Sequence, residues 1–246
     1  MPRTNCNRFT PWCAASPPYA VTISSLALLA GLLAIAPEPA RAQQETQVAD
    51  KIQIESSRVY VFVGKVGLGH EHAVVGKLKS GTVKLGAPRN AGEFVFDMST
   101  FSADTYEARE YFGLEGKVPD QRRREVTQNM VGAQVLNIRK YPTATFKIAS
   151  ALPLDRQSGD GNPLYRLDGE FTLHGVTRPV QIDAEVGEQK EGFRLIGSFK
   201  IKQTDYHIQP FSKAFGAVGV TDELTIHGDL VVAQTRTAQR LLPNRK

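Results

Sequence analysis

The chain has 246 residues, 30 of them basic and 25 acidic, with 41% hydrophobic and 8% aromatic residues and two cysteines. A formal charge of +5 is too mild a surplus to imply nucleic acid, and the one basic cluster, Arg122-Arg123-Arg124, lacks the interleaved aromatics of a single-strand binding surface. Its place is a solvated helix start.

The amino end carries the first signal. Arg3 and Arg8 precede an apolar run from Ala20 to Ala36, and Ala40-Arg41-Ala42 follows with the small-x-small pattern of an export cleavage site. Residues 1–42 read as a secretory signal cut after Ala42, which places the protein in the periplasm or outside the cell. The run is short of the roughly 20 residues that a membrane span needs. Ser24, Ser25 and Gly31 dilute it further. Cys6 and Cys13 leave with the signal, so the exported chain is disulfide-free and rests on its core. Taking Arg3, Arg8, Arg41 and Glu38 from the 30 basic and 25 acidic residues leaves a net charge of about +3.

Residues 43–50 are polar and without period, a flexible lead-in. A domain over 51–234 follows. Its first strand, Arg58 to Val63, is apolar on both faces, so something has to cover its outer side. From Val74 to Leu85 apolar and polar residues alternate, with a change of phase at Ser80-Gly81 that fits a bulge. Gly92 to Met98 alternates again, with Phe94, Phe96 and Met98 on one side. The period of two then disappears between Ser99 and Tyr141. Ser102 and Asp104 are candidate caps for a short helix over Thr105–Phe112, ended by Gly113 and Gly116. The stripe Val126, Met130, Ala133 or Gln134, and Ile138, flanked by Val131 and Val135, predicts one amphipathic helix over Arg122–Ile138, weakened at Gly132 and stopped by Pro142. Its apolar stripe has to touch the interior.

Strands resume at Ala144-Thr-Phe146-Lys-Ile148, and a turn-rich loop spans Asp155–Pro163. Tyr165–Leu173 and Val180–Val186 form an antiparallel pair around His174-Gly-Val-Thr-Arg-Pro179. Phe193–Ile201 and Leu224–Val232 complete about eight strands without a βαβ rhythm, and residues 235–246 read as a disordered basic tail. The pattern predicts an all-β antiparallel fold, buried as a sandwich or closed as a barrel, with one or two helices between the third and fourth strands. Closure removes the exposed edges, and an eight-stranded interior is just wide enough to be filled by side chains or to hold one small ligand. Which of the two holds is left open by the pattern.

Phe171-Thr-Leu-His-Gly-Val-Thr-Arg-Pro-Val180, Tyr141-Pro142 ahead of Phe146, the segment Gly92–Asp104, and Ser198-Phe-Lys-Ile-Lys-Gln-Thr-Asp-Tyr206 together resemble the YceI family of exported proteins. The resemblance runs from about Lys51 to Val232. It implies a lipocalin-like barrel and a carrier of a long isoprenoid or other lipid chain, with peripheral membrane contact possible for such a carrier. Two departures stand out: His207 occupies the place where family members usually carry Gly, and His70 and His72 lie closer to Gly76 than the family's early histidine does to the glycine after it.

The expected lipid-binding residues are the inward ones. Phe62, Phe94, Phe96, Met98 and Phe146 come from the first four strands, and Met130 from the helix. Leu167, Phe171, Ile182, Phe193, Leu195 and Phe199 come from the later strands. Their role is lining. No nucleophile–base pair or paired carboxylate falls on the apolar face, so neither catalytic residues nor a cofactor are expected. His70 and His72 share one face of a strand and form the basis of a rival reading, a metal carrier or metal enzyme; His174, His207 and His227 are distant, His227 on the outer face. A third reading is a filled barrel acting through its surface. No metal ligand is assigned.

Overall fold

The computed structural model describes residues 49–233; the signal, most of the lead-in and the tail expected from the sequence lie outside the described residues. Twelve elements carry the fold: β1 (Asp50–Ile52), β2 (Arg58–Gly67), β3 (His72–Val83), β4 (Gly92–Ala103), α1 (Tyr106–Tyr111), α2 (Asp120–Val131), β5 (Thr143–Gln157), β6 (Pro163–Leu173), β7 (Val176–Gln189), β8 (Gly192–Lys202), β9 (Ser212–Lys213) and β10 (Val218–Ala233). Eight of the strands are long. Each pairs antiparallel with its neighbour from β2 through β8, and β10 pairs with both β8 and β2, which closes an eight-stranded antiparallel barrel. With β1 counted, the two helices lie between β4 and β5. Among the described residues, closure leaves no long strand with a free edge running its whole length.

The alternation seen in the sequence becomes an inside and an outside. Phe94, Phe96 and Met98 are buried while Ser99 is exposed; Phe193 and Leu195 are buried while Arg194 and Ile196 are exposed. Aromatic rings meet in the interior, Phe171 with Phe199 at 5.3 Å and with Tyr206 at 5.8 Å between centroids.

The hairpin between β6 and β7 is tighter than the sequence suggests. Leu173 pairs with Val176, leaving only His174 (φ 51°) and Gly175 (φ 78°) in the turn. Two successive left-handed residues match the twist of the flanking strands. Pro179 is therefore inside β7. The ladder from β7 to β8 starts only at Ala184, so Pro179 sits where one edge of its strand is unpaired and its missing N–H costs little.

Two further boundaries are corrected. The second helix stops at Val131 instead of Ile138, because Gly132 takes an extended conformation (φ −67°, ψ 170°) and residues beyond it form turns. Val135, Leu136 and Ile138 still pack on the core from those turns. At the first helix the cap is Thr105, whose hydroxyl accepts from the Ala108 N–H at 3.1 Å. Asp104, a candidate cap, turns inward.

The double-sided first strand is explained by α1. Val59 and Val61 face the interior, whereas Tyr60 faces outward into a small second cluster with Ala73, Val75, Ala108, Phe112 and Leu114. Tyr60 stacks on Tyr111 at 3.8 Å and donates to Glu107 at 3.0 Å; burial, then that hydrogen bond, pushes its hydroxyl up to about 12.

Candidate functional site

An apolar cavity of about 180 Å³ occupies the helix-bearing end of the barrel. That exceeds the roughly 150 Å³ of an apolar protein cavity able to take benzene. Val59, Val61 and Val63 of β2 line one wall, Phe96, Met98, Phe101 and Ala103 of β4 another, and Phe171, Leu173 and Ile201 a third. Val126, Asn129 and Met130 of α2 cover it, and Phe211, Val220 and Leu224 complete the rim. Helix α2 has no fully buried side chain; Thr127, which accepts from the Ala103 N–H at 3.0 Å, ties it to β4. A smaller, inner cavity of about 40 Å³ lies farther along the barrel from α2, lined by Phe94, Phe96, Phe146, Leu167, Ile182, Leu195, Phe199 and others. Val59, Phe96 and Ile226 border both, so Phe96 stands between the two spaces.

Ten of the twelve expected lining residues therefore border a cavity: Phe96, Met98, Met130 and Phe171 the outer one, and Phe94, Phe96, Phe146, Leu167, Ile182, Leu195 and Phe199 the inner one. Phe193 is buried in the core but borders neither. Phe62 is corrected. It lies on the outer face of β2, its ring 5.5 Å from that of Phe112. Valines line the inside of this strand, and because both of its faces are apolar, period alone could not tell which was inner.

Not every inward glycine opens space. A Cβ on Gly76 would lie 2.4 Å from the Phe101 ring, and one on Gly169 would lie 2.9 Å from the Phe146 ring, so side chains from neighbouring strands occupy both places. Gly197 borders the inner cavity, but a Cβ there would lie 2.9 Å from the Ile182 side chain; at Gly228, which also borders it, the nearest atom would be 3.8 Å away.

The polar side chains on the outer cavity are His72, Asn129 and Gln203. Gln203 donates its amide to the Thr221 carbonyl at 2.7 Å. The His72 Nδ1 lies 2.6 Å from Asp104 Oδ2, and the other Asp104 oxygen accepts from the Ala73 N–H at 3.2 Å and pairs with Arg109 at 3.5 Å. Asp104 is 1% exposed. Burial alone would raise its carboxyl, but hydrogen bonds from His72 and Ala73 and the nearby charges of His72 and Arg109 outweigh it and hold the group below the ordinary 3.8. Sequence reasoning missed this carboxylate, since its partners lie 31 and 32 positions away.

His70 sits beside His72 with ring centroids 4.4 Å apart, and the donor atoms of His70, His72 and Asp104 all fall within 4.8 Å of one another. These three are the residues among those described that could hold a metal. Both Asp104 oxygens already serve protein donors, and the Arg109 charge stands against one of them, so the cluster is built as an ion-pair network.

The remaining histidines have structural places. His174 Nδ1 lies 3.2 Å from the Tyr206 carbonyl. His207 adopts a left-handed conformation (φ 56°, ψ 29°) at the end of a short 3-10 turn. Glycine suits such a position because it has no Cβ to clash there. His227 is on the outer face, its ring 5.8 Å from Tyr111 and 5.2 Å from Phe112, and burial lowers its pKa from 6.5. As pH falls below 6.5 the unfolded chain takes up this proton before the folded one does, so stability falls with it. Urea melts at pH 7.5 and 5.5 should show that loss in the parent and a shallower one in His227→Phe. Equal slopes would place the acid sensitivity elsewhere.

A closed antiparallel barrel with an apolar interior cavity under a short helix defines the class. Residues 50–232 match the YceI-like domain, and the chain belongs to that family. It is 30% identical to a UPF0312 protein of Pectobacterium atrosepticum over 125 residues, covering 48% of this chain and 58% of that one. The chain thus spans less than two thirds of that relative's length. It is also 30% identical to a UPF0312 protein of Vibrio cholerae, covering 56% of this chain and 69% of that one. Among solved structures it resembles a polyisoprenoid-binding domain from Saccharophagus degradans, with a TM-score of 0.50 and 14% identity over 76% of this chain and 99% of that one.

Proposed function

We propose that this protein is an exported binding protein that takes up a long apolar chain, isoprenoid or fatty, in the barrel interior. The observation that carries the reading is the outer cavity, with a wall that is carbon except at His72, Asn129 and Gln203. Each CH₂ moved from water into such a space contributes about 0.8 kcal/mol, so the part of an isoprenoid or acyl chain that enters it gains affinity without a charged anchor. The solved relative's description as polyisoprenoid-binding supports the same class of ligand. A chain longer than the outer cavity reaches the inner one past Phe96, whose ring borders both. The chain enters at the end covered by α2.

Native mass spectrometry of protein purified from its own cell envelope tests the reading. The expected result is an adduct of several hundred daltons that organic extraction removes and that is identified as a prenyl or acyl lipid. A stoichiometric zinc or copper adduct would replace this reading with a metal function centred on His70, His72 and Asp104. Bare protein that also fails to bind added prenyl lipid would support a filled barrel.

Export is part of the proposal. Amino-terminal sequencing of the envelope protein should begin at or near Gln43, after Ala40-Arg41-Ala42. A chain still carrying Ala20 to Ala36 would be an anchored protein instead.

A further inference from the structure

Large apolar side chains with the most exposure gather on two adjacent loop tips at the cavity end. Phe215 is 113% exposed and Leu68 is 87% exposed, followed on the described surface by Tyr106 at 69%. Val66, at 44%, lies beside Leu68. Of the other large exposed hydrophobics among the described residues, Tyr106 and Tyr111 lie at the two ends of α1, and Leu152 and Ile196 lie on β5 and β8.

Backbone pairing brings these tips together. One is the β2–β3 connection, where Gly67 pairs with Val218 and the Leu68 N–H donates to the Ala217 carbonyl at 3.0 Å. The other is the β9–β10 hairpin, whose strands pair Val218 with Lys213 and Gly219 with Ser212. At its tip Ala214 (φ 51°) and Phe215 (φ 54°) are successive non-glycine residues in the left-handed region. Side-chain-bearing residues avoid that conformation. The fold holds Phe215 outward in it although no burial rewards it.

The same hairpin reaches the cavity. Phe211, just before β9, and Val220 of β10 line it, and the Val220 N–H donates to the Phe211 carbonyl at 3.1 Å. Base and tip of one hairpin thus connect the cavity wall to the most exposed aromatic residue. Lysines flank the tips: Lys65 is half-exposed beside Val66, and Lys213 lies 5.4 Å from the Phe211 ring. Glu71 is the acidic neighbour there, 3.9 Å from Lys65.

We infer that the tips carrying Leu68 and Phe215 dock on an anionic phospholipid bilayer, placing the mouth of the cavity at the membrane surface. Two isolated side chains standing clear of the backbone suit insertion between lipid head groups, and they form no flat face for a protein partner. Lysines beside them match a negative membrane surface. The inference rests on the carrier reading, since it supplies the route by which an apolar chain avoids water between bilayer and barrel.

The test uses the exported protein as recovered from its own envelope, which cleavage after Ala42 leaves without Trp12, the chain's single tryptophan. Phe215→Trp, Leu68→Trp and, as a control on the barrel wall, Leu152→Trp are mixed with vesicles of phosphatidylethanolamine and phosphatidylglycerol at 3:1, and with phosphatidylcholine vesicles. The first two should shift to the blue and be quenched by brominated acyl chains, and Leu152→Trp should do neither. The pair Leu68→Ser and Phe215→Ser should weaken partition at least tenfold with unchanged melting. Lys65→Gln with Lys213→Gln should remove the preference for phosphatidylglycerol. No quenching at 68 or 215, equal quenching at 152, or a blue shift on concentrating the protein without vesicles, which marks self-association, would overturn the inference. The readout does not need an occupied cavity. Docking by a protein that binds no lipid would overturn the carrier reading alone, and lipid binding without docking would overturn only this inference.

Discussion

Replacing Phe96 by Trp is expected to reduce lipid loading roughly tenfold or more while costing the empty fold less than about 1 kcal/mol. The ring of Phe96 borders both cavities, so the extra volume of indole has space to enter, and that space is the passage a long chain would use. Phe199→Trp acts on the inner cavity alone and should shorten the chain accepted before it abolishes binding. Ile148→Phe is the counterpart in solid core, since Ile148 is 1% exposed and borders neither cavity. Overpacking there should cost about 1–3 kcal/mol. Denaturant melts have to be run on delipidated protein, since bound ligand raises apparent stability. If Phe96→Trp unfolds as early as Ile148→Phe and the parent carries no lipid, the interior is packed and the carrier reading falls.

Asp104→Ala should destabilise the protein by about 3–5 kcal/mol, because it leaves buried partners of a charge without their counterpart. The Ala73 N–H, the His72 Nδ1 and the Arg109 guanidinium would all lose an acceptor at once. Asp104→Asn retains an acceptor oxygen and should lose less. The pH dependence follows from the lowered pKa. Asp104 contributes its full stability well above 3.8, where the unfolded carboxylate is already ionised, and loses it progressively as pH falls below 3.8 and through the lower folded value. Melts of parent and variant should therefore converge in strong acid. A loss below about 1 kcal/mol at pH 7 would mean that water already solvates the network.

The sequence by itself determined the antiparallel strands and their apolar faces, whereas closure into a barrel was decided by the pairing of β10 with both β2 and β8. A two-residue period is a local property, set by Cβ atoms alternating across a strand, and it survives whatever the strand packs on. Phe94, Phe96, Phe146 and Leu195 could thus be placed inside before any contact was known. A turn at His174-Gly175 was legible for a similar reason, since glycine tolerates left-handed backbone there, but its tightness was not, because Val176–Pro179 pair as strand. Where local cues ran out, tertiary structure decided. Both faces of β2 are apolar, and only the docking of α1 shows that Phe62 belongs outside with Phe112. The helix stripe continues past Gly132 in sequence, yet Val135 and Leu136 reach the cavity from turns. Asp104 looks like a helix cap and instead becomes a buried partner of His72 and Arg109. Phe211 and Gln203, which no period marks, join the cavity through the chain that leads from β8 to β10. In each of these cases the deciding contact lies outside the residue's own strand or helix, so only the closed barrel could bring the partners together.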